Sequence, residues 1–282
     1  MEFRKLNTGA DIPMFGLGTF LLSPAEAEES VYNALKDGYR LIDTANAYQN
    51  EKAVGRGIKK SGVPREEIFL ETKIWPTQYE DEDAVDKTLE RLGVDYVDLL
   101  LLHQPAGNYM EGYKHLVKAY KEGKAKAIGL SNFTVEQFKE IMSVYDVKPC
   151  LLQAERHPYY IGEEFTDFLK ENDIAIQSWF PLGGRGNSSI VDEEVFKTIG
   201  AKYGKSPVQV ILRWHVQMGF IVIPGSKSAE HIKENFEIFD FTLTDEEMAE
   251  IAKLNKQTKF FIHTPEKLAE FLTRKLNLDN QD

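Results

Sequence analysis

Short apolar runs alternate with longer amphipathic runs along most of this chain. Strand-length apolar runs that each precede a helical pattern predict β-α units, in which consecutive strands lie parallel. We predict strands near 15–17 and over 41–42, 67–72, 97–102, 125–130, 150–153, 174–179 and 220–223. We predict helices over 24–36, 50–60, 81–92, 111–122, 135–144, 163–171, 207–218 and 229–235. About eight such units predict an α/β fold, a closed (β/α)8 barrel of the TIM type.

The chain carries local signals at several of these boundaries. Ser23 stands where it can cap the first helix, Glu26 lies three residues on as in a capping box, and Gly38 follows the helix end. Residues 1–14 predict a hairpin that plugs the bottom of the barrel. The tail beyond 255 is expected to form a surface loop and helix that border the pocket.

An open doubly wound sheet is the alternative fold. It would carry a glycine fingerprint for dinucleotides after its first strand. Gly16 and Gly18 have the right spacing, but Leu21 stands where the third glycine belongs. No break in composition marks a linker, so we expect residues 1–282 to form one barrel domain.

Composition narrows the function. Of the 282 residues, 42% are hydrophobic and 28% are charged, which is typical of a globular domain. The formal net charge of −11 argues against nucleic-acid binding, although a phosphorylated cofactor needs only a few local cations. The single cysteine, Cys150, excludes an intrachain disulfide, and no apolar run of about 20 residues predicts a membrane span. We therefore expect a cytoplasmic protein with no membrane partner.

Polar residues with complementary chemistry follow three successive predicted strands. They are Asp43, Tyr48, Lys73 and His103. Each alone has an ordinary structural explanation, such as a cap, a surface charge or a packed ring. In a parallel barrel, however, the carboxyl ends of neighbouring strands converge on one face, where barrel enzymes place their catalytic groups. The combination therefore predicts an active site.

The four side chains suggest a proton donor. A free tyrosine has a pKa of about 10 and is a weak acid at neutral pH. We expect Lys73 to lower the pKa of Tyr48, since a neighbouring ammonium favours the phenolate; a shift of about three units needs roughly 4 kcal/mol. Asp43 can keep Lys73 charged, and His103 can hydrogen-bond a substrate carbonyl. The six histidines have no paired ligand spacing, so no metal site is predicted.

Four segments resemble signature motifs of the aldo-keto reductase superfamily, in its bacterial, diketogluconate-reductase-like branch. They are 43–51, 92–99 leading into His103, 129–133 and 223–227. The resemblance implies a barrel that binds an extended nicotinamide cofactor. It also implies Asp43, Tyr48, Lys73 and His103 as catalytic residues, with Tyr48 as the general acid that protonates the alkoxide while hydride reduces an aldehyde or ketone.

The same resemblance implies the residues that hold the cofactor. Ser131, Asn132 and Gln153 match the group that binds the nicotinamide carboxamide, and Trp179 matches the aromatic ring that stacks on the nicotinamide, with core packing as the alternative. The remaining cofactor-binding positions lie after the first strand, in the loop over the pyrophosphate and on the adenosine segment. They are Gly18 and Thr19; Phe180, Pro181 and Leu182, followed by Gly-Gly-Arg185; and Ser226, Lys227, Ser228, His231, Glu234 and Asn235.

Two departures from the family pattern bear on specificity. Gly225 and His231 occupy positions where the family usually has cations for the 2′-phosphate, and Lys227 can replace one of them. We predict NADPH as the cofactor. Losing one charge-assisted hydrogen bond costs about 1.5–3 kcal/mol, which is enough to erode this preference, so that NADH is also possible. In the pocket, Phe20 and Gln104 stand where many members carry tryptophan.

Phe20, Trp75 and Gln104 are the residues we expect to contact a small-molecule carbonyl substrate, in a protein that acts as a monomer. Two other functions compete with reduction. A non-catalytic cofactor-binding barrel that regulates a partner would gain nothing from a tuned acid. A Schiff-base aldolase or isomerase would need a neutral Lys73, which Asp43 opposes.

Overall fold

The computed structural model describes residues 1–184 and 188–281. Its strands are β1 (Phe3–Lys5), β2 (Asp11–Pro13), β3 (Leu17–Gly18), β4 (Leu41–Asp43), β5 (Phe69–Ile74), β6 (Leu99–Leu102), β7 (Ile128–Ser131), β8 (Leu151–Glu155), β9 (Ala175–Trp179) and β10 (Ile221–Val222). Strands β3 to β10 form a parallel sheet in sequence order. Backbone hydrogen bonds from Gly16 N–H to Val222 O (2.9 Å) and from Val222 N–H to Met14 O (3.0 Å) join its two edges. The sheet therefore closes, and the predicted (β/α)8 barrel is confirmed.

Helices surround the sheet. They are α1 (Pro24–Lys36), α2 (Glu51–Ser61), α3 (Ala84–Leu92), α4 (Tyr109–Lys121), α5 (Val135–Val144), α6 (Glu163–Glu171), α7 (Glu194–Tyr203), α8 (Pro207–Gln217), α9 (Ala229–Phe236), α10 (Asp245–Ala252) and α11 (Pro265–Thr273). Apolar strands such as β6, whose four leucines are fully buried, form the core between them. None of the helices in the described ranges has the length and apolarity needed to cross a membrane.

The N-terminal hairpin closes the end of the barrel opposite the strands' carboxyl ends. Strands β1 and β2 pair antiparallel. Asn7 Nδ2 donates to Pro149 O, and Arg4 Nη1 donates to Gly219 O, both at 3.2 Å. Because Pro149 and Gly219 precede β8 and β10, the hairpin lies at the amino ends of the strands, where it was predicted. The other end stays open for a site.

Helix α1 has the boundaries that its sequence predicts. Ser23 and Glu26 form the capping box, and Gly38 has a φ of 100° just beyond the helix. The helix packs closely on α2, since a Cβ added at Gly57 would lie 2.6 Å from Glu28 O. Only glycine permits this approach of the two helices.

The structure corrects several sequence predictions. Strand β5 begins two residues later than predicted, because Arg65–Glu67 form a 3₁₀ turn, so that Lys73 lies within the strand. Helices α7 and α10 were missed. Helix α7 contains Gly200, which weakens its helical signal. Helix α10 begins with a capping box of Thr244 and Glu247, a signal that could have revealed it.

Candidate active site

Three successive strands bring the predicted catalytic side chains to the open end of the barrel. Asp43 ends β4, and Tyr48 ends the 3₁₀ turn Asn46–Tyr48 that follows it. Lys73 is the penultimate residue of β5, and His103 directly follows β6. All of these strands are hydrogen-bonded neighbours. The topology alone therefore gathers the four residues.

Lys73 is the centre of the hydrogen-bond network. Its Nζ donates to Tyr48 OH at 3.2 Å and to Thr44 O at 2.9 Å, and it forms an ion pair with Asp43. The lysine side chain is fully buried, and that of the aspartate is almost fully buried. The His103 ring meets the Tyr48 ring edge-on, with 5.5 Å between ring centres. Tyr48 and His103 thus face the same small volume.

The pKa of Tyr48 differs from our expectation. Burial raises it to about 12, although the nearby Lys73 charge acts to lower it. The sequence argument for a lowered pKa was therefore wrong, because it weighed the ammonium without the larger effect of desolvation. The phenol is consequently fully protonated at neutral pH, the state that a proton donor needs.

The neighbouring groups have equally clear protonation states. Burial acts to lower the pKa of the Lys73 ammonium, but Asp43 and the other nearby groups raise it above its ordinary value, so that Lys73 remains charged. Burial, helped by Lys73, holds the pKa of His103 well below its usual range. The His103 imidazole is therefore neutral and carries one N–H. A charged Lys73 does not fit Schiff-base chemistry.

A second buried carboxyl lies beneath this group, and sequence reasoning missed it. Glu71 is fully buried, two residues before Lys73 on the same face of β5. Gln153 Nε2 donates to Asp43 Oδ1 at 2.9 Å and lies 3.2 Å from Glu71 Oε1 and 2.7 Å from Gln177 Oε1. Burial and the Asp43 charge raise the pKa of Glu71 well above its ordinary value. The sequence signal that could have revealed Glu71 was its spacing of two residues from Lys73, which places both charged side chains on the same face of the strand.

A cavity of about 720 Å³ opens above these residues. Aromatic rings form much of its wall: Phe20 lies 5.0 Å from Tyr48 and Trp75 lies 5.1 Å from His103, between ring centres. The cavity lining includes most of the predicted site. The predicted residues that line it are Gly18, Phe20, Asp43, Tyr48, Trp75, His103, Gln104, Ser131, Asn132, Gln153, Trp179, Phe180, Pro181, Leu182, Ser226 and Lys227.

Other predicted residues lie outside the cavity wall. Lys73 is buried behind Tyr48, and Thr19 is buried with its Oγ1 donating to Asp43 O at 3.0 Å. Ser228 caps α9, where its side chain accepts from the backbone N–H of His231. Glu234 and Asn235 lie further along the same helix. Arg185 is outside the described residues.

Asn132 organises one side of the cavity floor. It adopts a left-handed backbone conformation, with φ of 68°. Its Nδ2 lies within hydrogen-bond distance of Ser131 Oγ (3.1 Å) and Gln104 Oε1 (3.2 Å), and its Oδ1 accepts from Trp179 Nε1 at 3.0 Å. Trp179 is half-buried: it packs against the hydrophobic core and also lines the cavity. Amide and hydroxyl groups beside an indole ring suit a flat carboxamide-bearing ring.

The C-terminal tail forms part of the cavity wall, and the sequence alone did not predict which tail residues line it. Trp75 Nε1 donates to Phe271 O at 3.0 Å, which ties α11 to the loop after β5. The tail was expected to border the pocket, and the structure confirms this. The tail residues that line the cavity are Phe261, His263, Lys267, Phe271 and Arg274.

Lys227, the candidate cation for a 2′-phosphate, already has a carboxylate partner. Its Nζ lies 2.9 Å from Glu26 Oε1 at the start of α1, and both side chains are solvent-accessible. At Gly225, a Cβ would lie 3.0 Å from Gly18 O. A side chain at 225 would therefore require the facing loop at Gly18 to shift by a few tenths of an ångström. Lys227 lies two residues further along the chain.

The barrel thus places a buried Tyr-Lys-Asp group, which can donate a proton, at the floor of an aromatic cavity. The model of the aldo/keto reductase family matches residues 14–256. Glyoxal reductase of Bacillus subtilis is 44% identical over 260 residues, which cover 90% of this chain and 93% of that protein. The chain belongs to the aldo/keto reductase family, whose members use a nicotinamide cofactor.

Solved structures agree with this assignment. An aldo/keto reductase from Brucella melitensis is 42% identical, with a TM-score of 0.86 over 90% of this chain and 99% of that one. A Bombyx mori aldo-keto reductase in complex with NADP is 33% identical, with a TM-score of 0.86 over 93% and 95% of the two chains. The protein is thus an enzyme that reduces aldehydes or ketones to alcohols.

Proposed function

We propose that this protein reduces small aldehydes, among them dicarbonyls such as glyoxal, with NADPH as the preferred cofactor and NADH as a possible substitute. The observation that carries the proposal is the buried Lys73 ammonium, 3.2 Å from the Tyr48 hydroxyl at the floor of an aromatic cavity. The similarity to the Bacillus glyoxal reductase supports the substrate class.

The chain's own residues control the proton and the carbonyl. The neutral imidazole of His103 donates its N–H to the substrate oxygen and holds the carbonyl beside Tyr48. When bound, a reduced nicotinamide supplies a hydride, and so both electrons, to the carbonyl carbon. The Tyr48 hydroxyl gives its proton to the oxygen as negative charge develops there, and the product is an alcohol. Lys73 stabilises the resulting phenolate until solvent returns a proton.

The residues present fit a nicotinamide cofactor. Ser131, Asn132 and Gln153 offer hydroxyl and amide groups to a carboxamide on one side of the cavity, and Trp179 offers a ring face. At the other side, Ser226, Lys227 and the N-terminus of α9 offer donors and positive charge for phosphate. These groups support the preference for NADPH.

Composition supports proposals on the oligomeric state and on the cell compartment of the protein. A net charge of −11 disfavours self-association, so we propose a monomer. The single cysteine, Cys150, is buried and free, which suits a reducing cytoplasm. We also propose that residues 1–282 act as one barrel domain.

Loss of NADPH absorbance with glyoxal and with benzaldehyde tests the proposal. We expect Tyr48→Phe to lower kcat by about 10²–10⁴-fold, because the proton donor is gone, while NADPH still binds in a fluorescence titration. Tyr203→Phe is the matched control, since its hydroxyl donates to Glu247 (2.7 Å) away from the cavity.

Two results would contradict the proposal. Full turnover by Tyr48→Phe would remove Tyr48 from the mechanism. NADPH binding without turnover of any aldehyde would instead support the non-catalytic, cofactor-binding barrel.

A further inference from the structure

Glu71 lies beside Asp43 in a part of the barrel interior that excludes water. The two residues are register partners on the neighbouring strands β4 and β5. A single amide nitrogen, Gln153 Nε2, lies 2.9 Å from Asp43 Oδ1 and 3.2 Å from Glu71 Oε1. Glu71 is fully buried, and Asp43 is 2% exposed. Two carboxyl groups are therefore held together behind the floor of the cavity.

The surrounding groups can balance only one carboxylate. Lys73 pairs with Asp43, and in the described part of the chain Glu71 has no ion pair of its own. Among those same residues, no N–H or O–H group donates to the buried Glu71 Oε2 atom. An unpaired carboxylate is very costly to bury, so an acid in this position retains its proton. A protonated carboxyl can also donate a hydrogen bond to a carboxylate, which a second carboxylate cannot do.

The pKa values of the neighbouring groups make Glu71 the group that titrates above neutral pH. Burial, the charge of Asp43 and a hydrogen bond with Asp43 raise the pKa of Glu71 well above its ordinary value. Burial raises the pKa of Tyr48 and of Cys150 to about 12, and Lys73 remains charged. The groups that face Glu71 are Asp43 from β4, Lys73 from its own strand, Tyr48 from the turn after β4, Cys150 and Gln153 from the segment of β8, and Gln177 from β9.

Ionised Glu71 would weaken the proton donor. Burial is the main cause of the raised pKa of Tyr48, and negative charge on Asp43 and on Glu71 raises this pKa further. A weaker acid gives up its proton less readily to the substrate oxygen. The same charge also opposes the negative charge that develops on that oxygen during reduction. Reduction is therefore favoured while Glu71 keeps its proton.

We propose that Glu71 is a positioning residue for the proton donor: it acts as a neutral carboxylic acid that hydrogen-bonds to Asp43 and keeps excess negative charge away from Tyr48. The inference rests on the proposed function and adds a residue to its mechanism. The proton stays on Glu71 throughout turnover, and Tyr48 alone donates to the substrate. The consequence is a reduction step that slows at alkaline pH, where Glu71 loses its proton.

Single turnovers of the enzyme–NADPH complex with saturating glyoxal test this consequence. Stopped-flow loss of NADPH absorbance measures the reduction step apart from product release. We expect the wild-type rate to fall about tenfold between about pH 7 and 10, the effect of one buried charge roughly 10 Å from the reacting atoms. Glutamine resembles protonated glutamic acid, because both carry a donor and an acceptor. Glu71→Gln should therefore keep the neutral-pH rate within about threefold and lose the alkaline decline.

Glu247→Gln is the matched control. It makes the same exchange at a carboxyl that caps α10 and does not line the cavity, in a position of the capping box where glutamine is also suitable. We expect it to keep the wild-type decline of the rate at alkaline pH. Infrared difference spectra at neutral pH read the protonation directly. Wild type minus Glu71→Gln should show the carbonyl stretch of a protonated carboxyl, whereas wild type minus Glu247→Gln should show carboxylate bands.

Several outcomes would overturn the inference. They are a wild-type rate that does not change between about pH 7 and 10, which needs no variant to measure, an equal alkaline decline in Glu71→Gln, and the lack of the protonated-carboxyl band. A loss of more than about tenfold at neutral pH in a folded Glu71→Gln would show that the carboxylate is the working form, with the same consequence. In each of these cases carbonyl reduction itself stands. If the wild-type protein reduces no aldehyde at any pH, the proposed function fails, whereas the infrared band still decides whether Glu71 is protonated.

Discussion

Replacing Lys73 by methionine should destabilise the protein severely. The substitution keeps the length of the side chain but removes the ammonium that neutralises Asp43. The carboxylate is almost completely buried and would keep Gln153 as a neutral partner. Removing one member of a buried ion pair typically costs about 3–5 kcal/mol, because the remaining charge stays uncompensated in a poorly polarisable interior. Since native proteins are stable by only about 5–15 kcal/mol, this loss is a large share of the total.

Equilibrium unfolding in urea, followed by tryptophan fluorescence and circular dichroism, measures this loss. The wild-type protein, Lys73→Met, Asp43→Asn and the double variant form a mutant cycle. We expect the double variant to recover most of the stability that Lys73→Met loses, because it leaves no buried charge from the pair. A loss below about 1 kcal/mol in Lys73→Met, or a double variant no more stable than that single variant, would refute this account of the buried pair.

Three further predictions concern other parts of the barrel. Glu71→Gln should gain stability relative to the wild type as pH rises from about 5 to 8, measured by urea midpoints. Because folding raises the pKa of Glu71, the folded wild-type protein holds this proton more tightly than the unfolded chain does. The resulting stabilisation of the wild type is complete below the unfolded-state pKa of Glu71 and is lost as the pH rises through its folded-state pKa. Glu26→Gln should raise the ratio of kcat/KM with NADPH to kcat/KM with NADH, because it frees Lys227 from its ion pair. Lys227→Ala should lower the same ratio about tenfold or more. Equal changes of kcat/KM for both cofactors would contradict this role of Lys227. Gly57→Ala should lower the unfolding midpoint, because its Cβ would contact the facing helix.

The sequence predicted the parts of this protein that depend on local chemistry. The buried strand β6 is a run of four leucines, and capping boxes such as that of Ser23 define helix starts from neighbouring residues alone. Asp43 and His103 were located because the ends of parallel strands converge. These inferences need only periodicity and the topology of the barrel.

The parts that escaped prediction depend on distant contacts. The pKa of Tyr48 follows from how completely the folded barrel excludes water, a quantity that the sequence does not contain. Glu71 was passed over as a member of an apolar strand, and its closeness to Gln153 arises only when β5 and β8 share one barrel interior. Arg274 reaches the rim through docking of a tail more than 200 residues away from Ala47 along the chain.

The attachment of the tail has an evolutionary consequence. The proton donor and its lysine belong to barrel strands and turns. Much of the outer wall belongs instead to the C-terminal segment, which attaches to the barrel through contacts such as Trp75 Nε1 to Phe271 O. Exchange of that segment between homologues can therefore alter which molecules are accepted without disturbing the chemical step. Recombination near the C-terminal end of the chain can thus diversify the substrates that enzymes of this architecture accept.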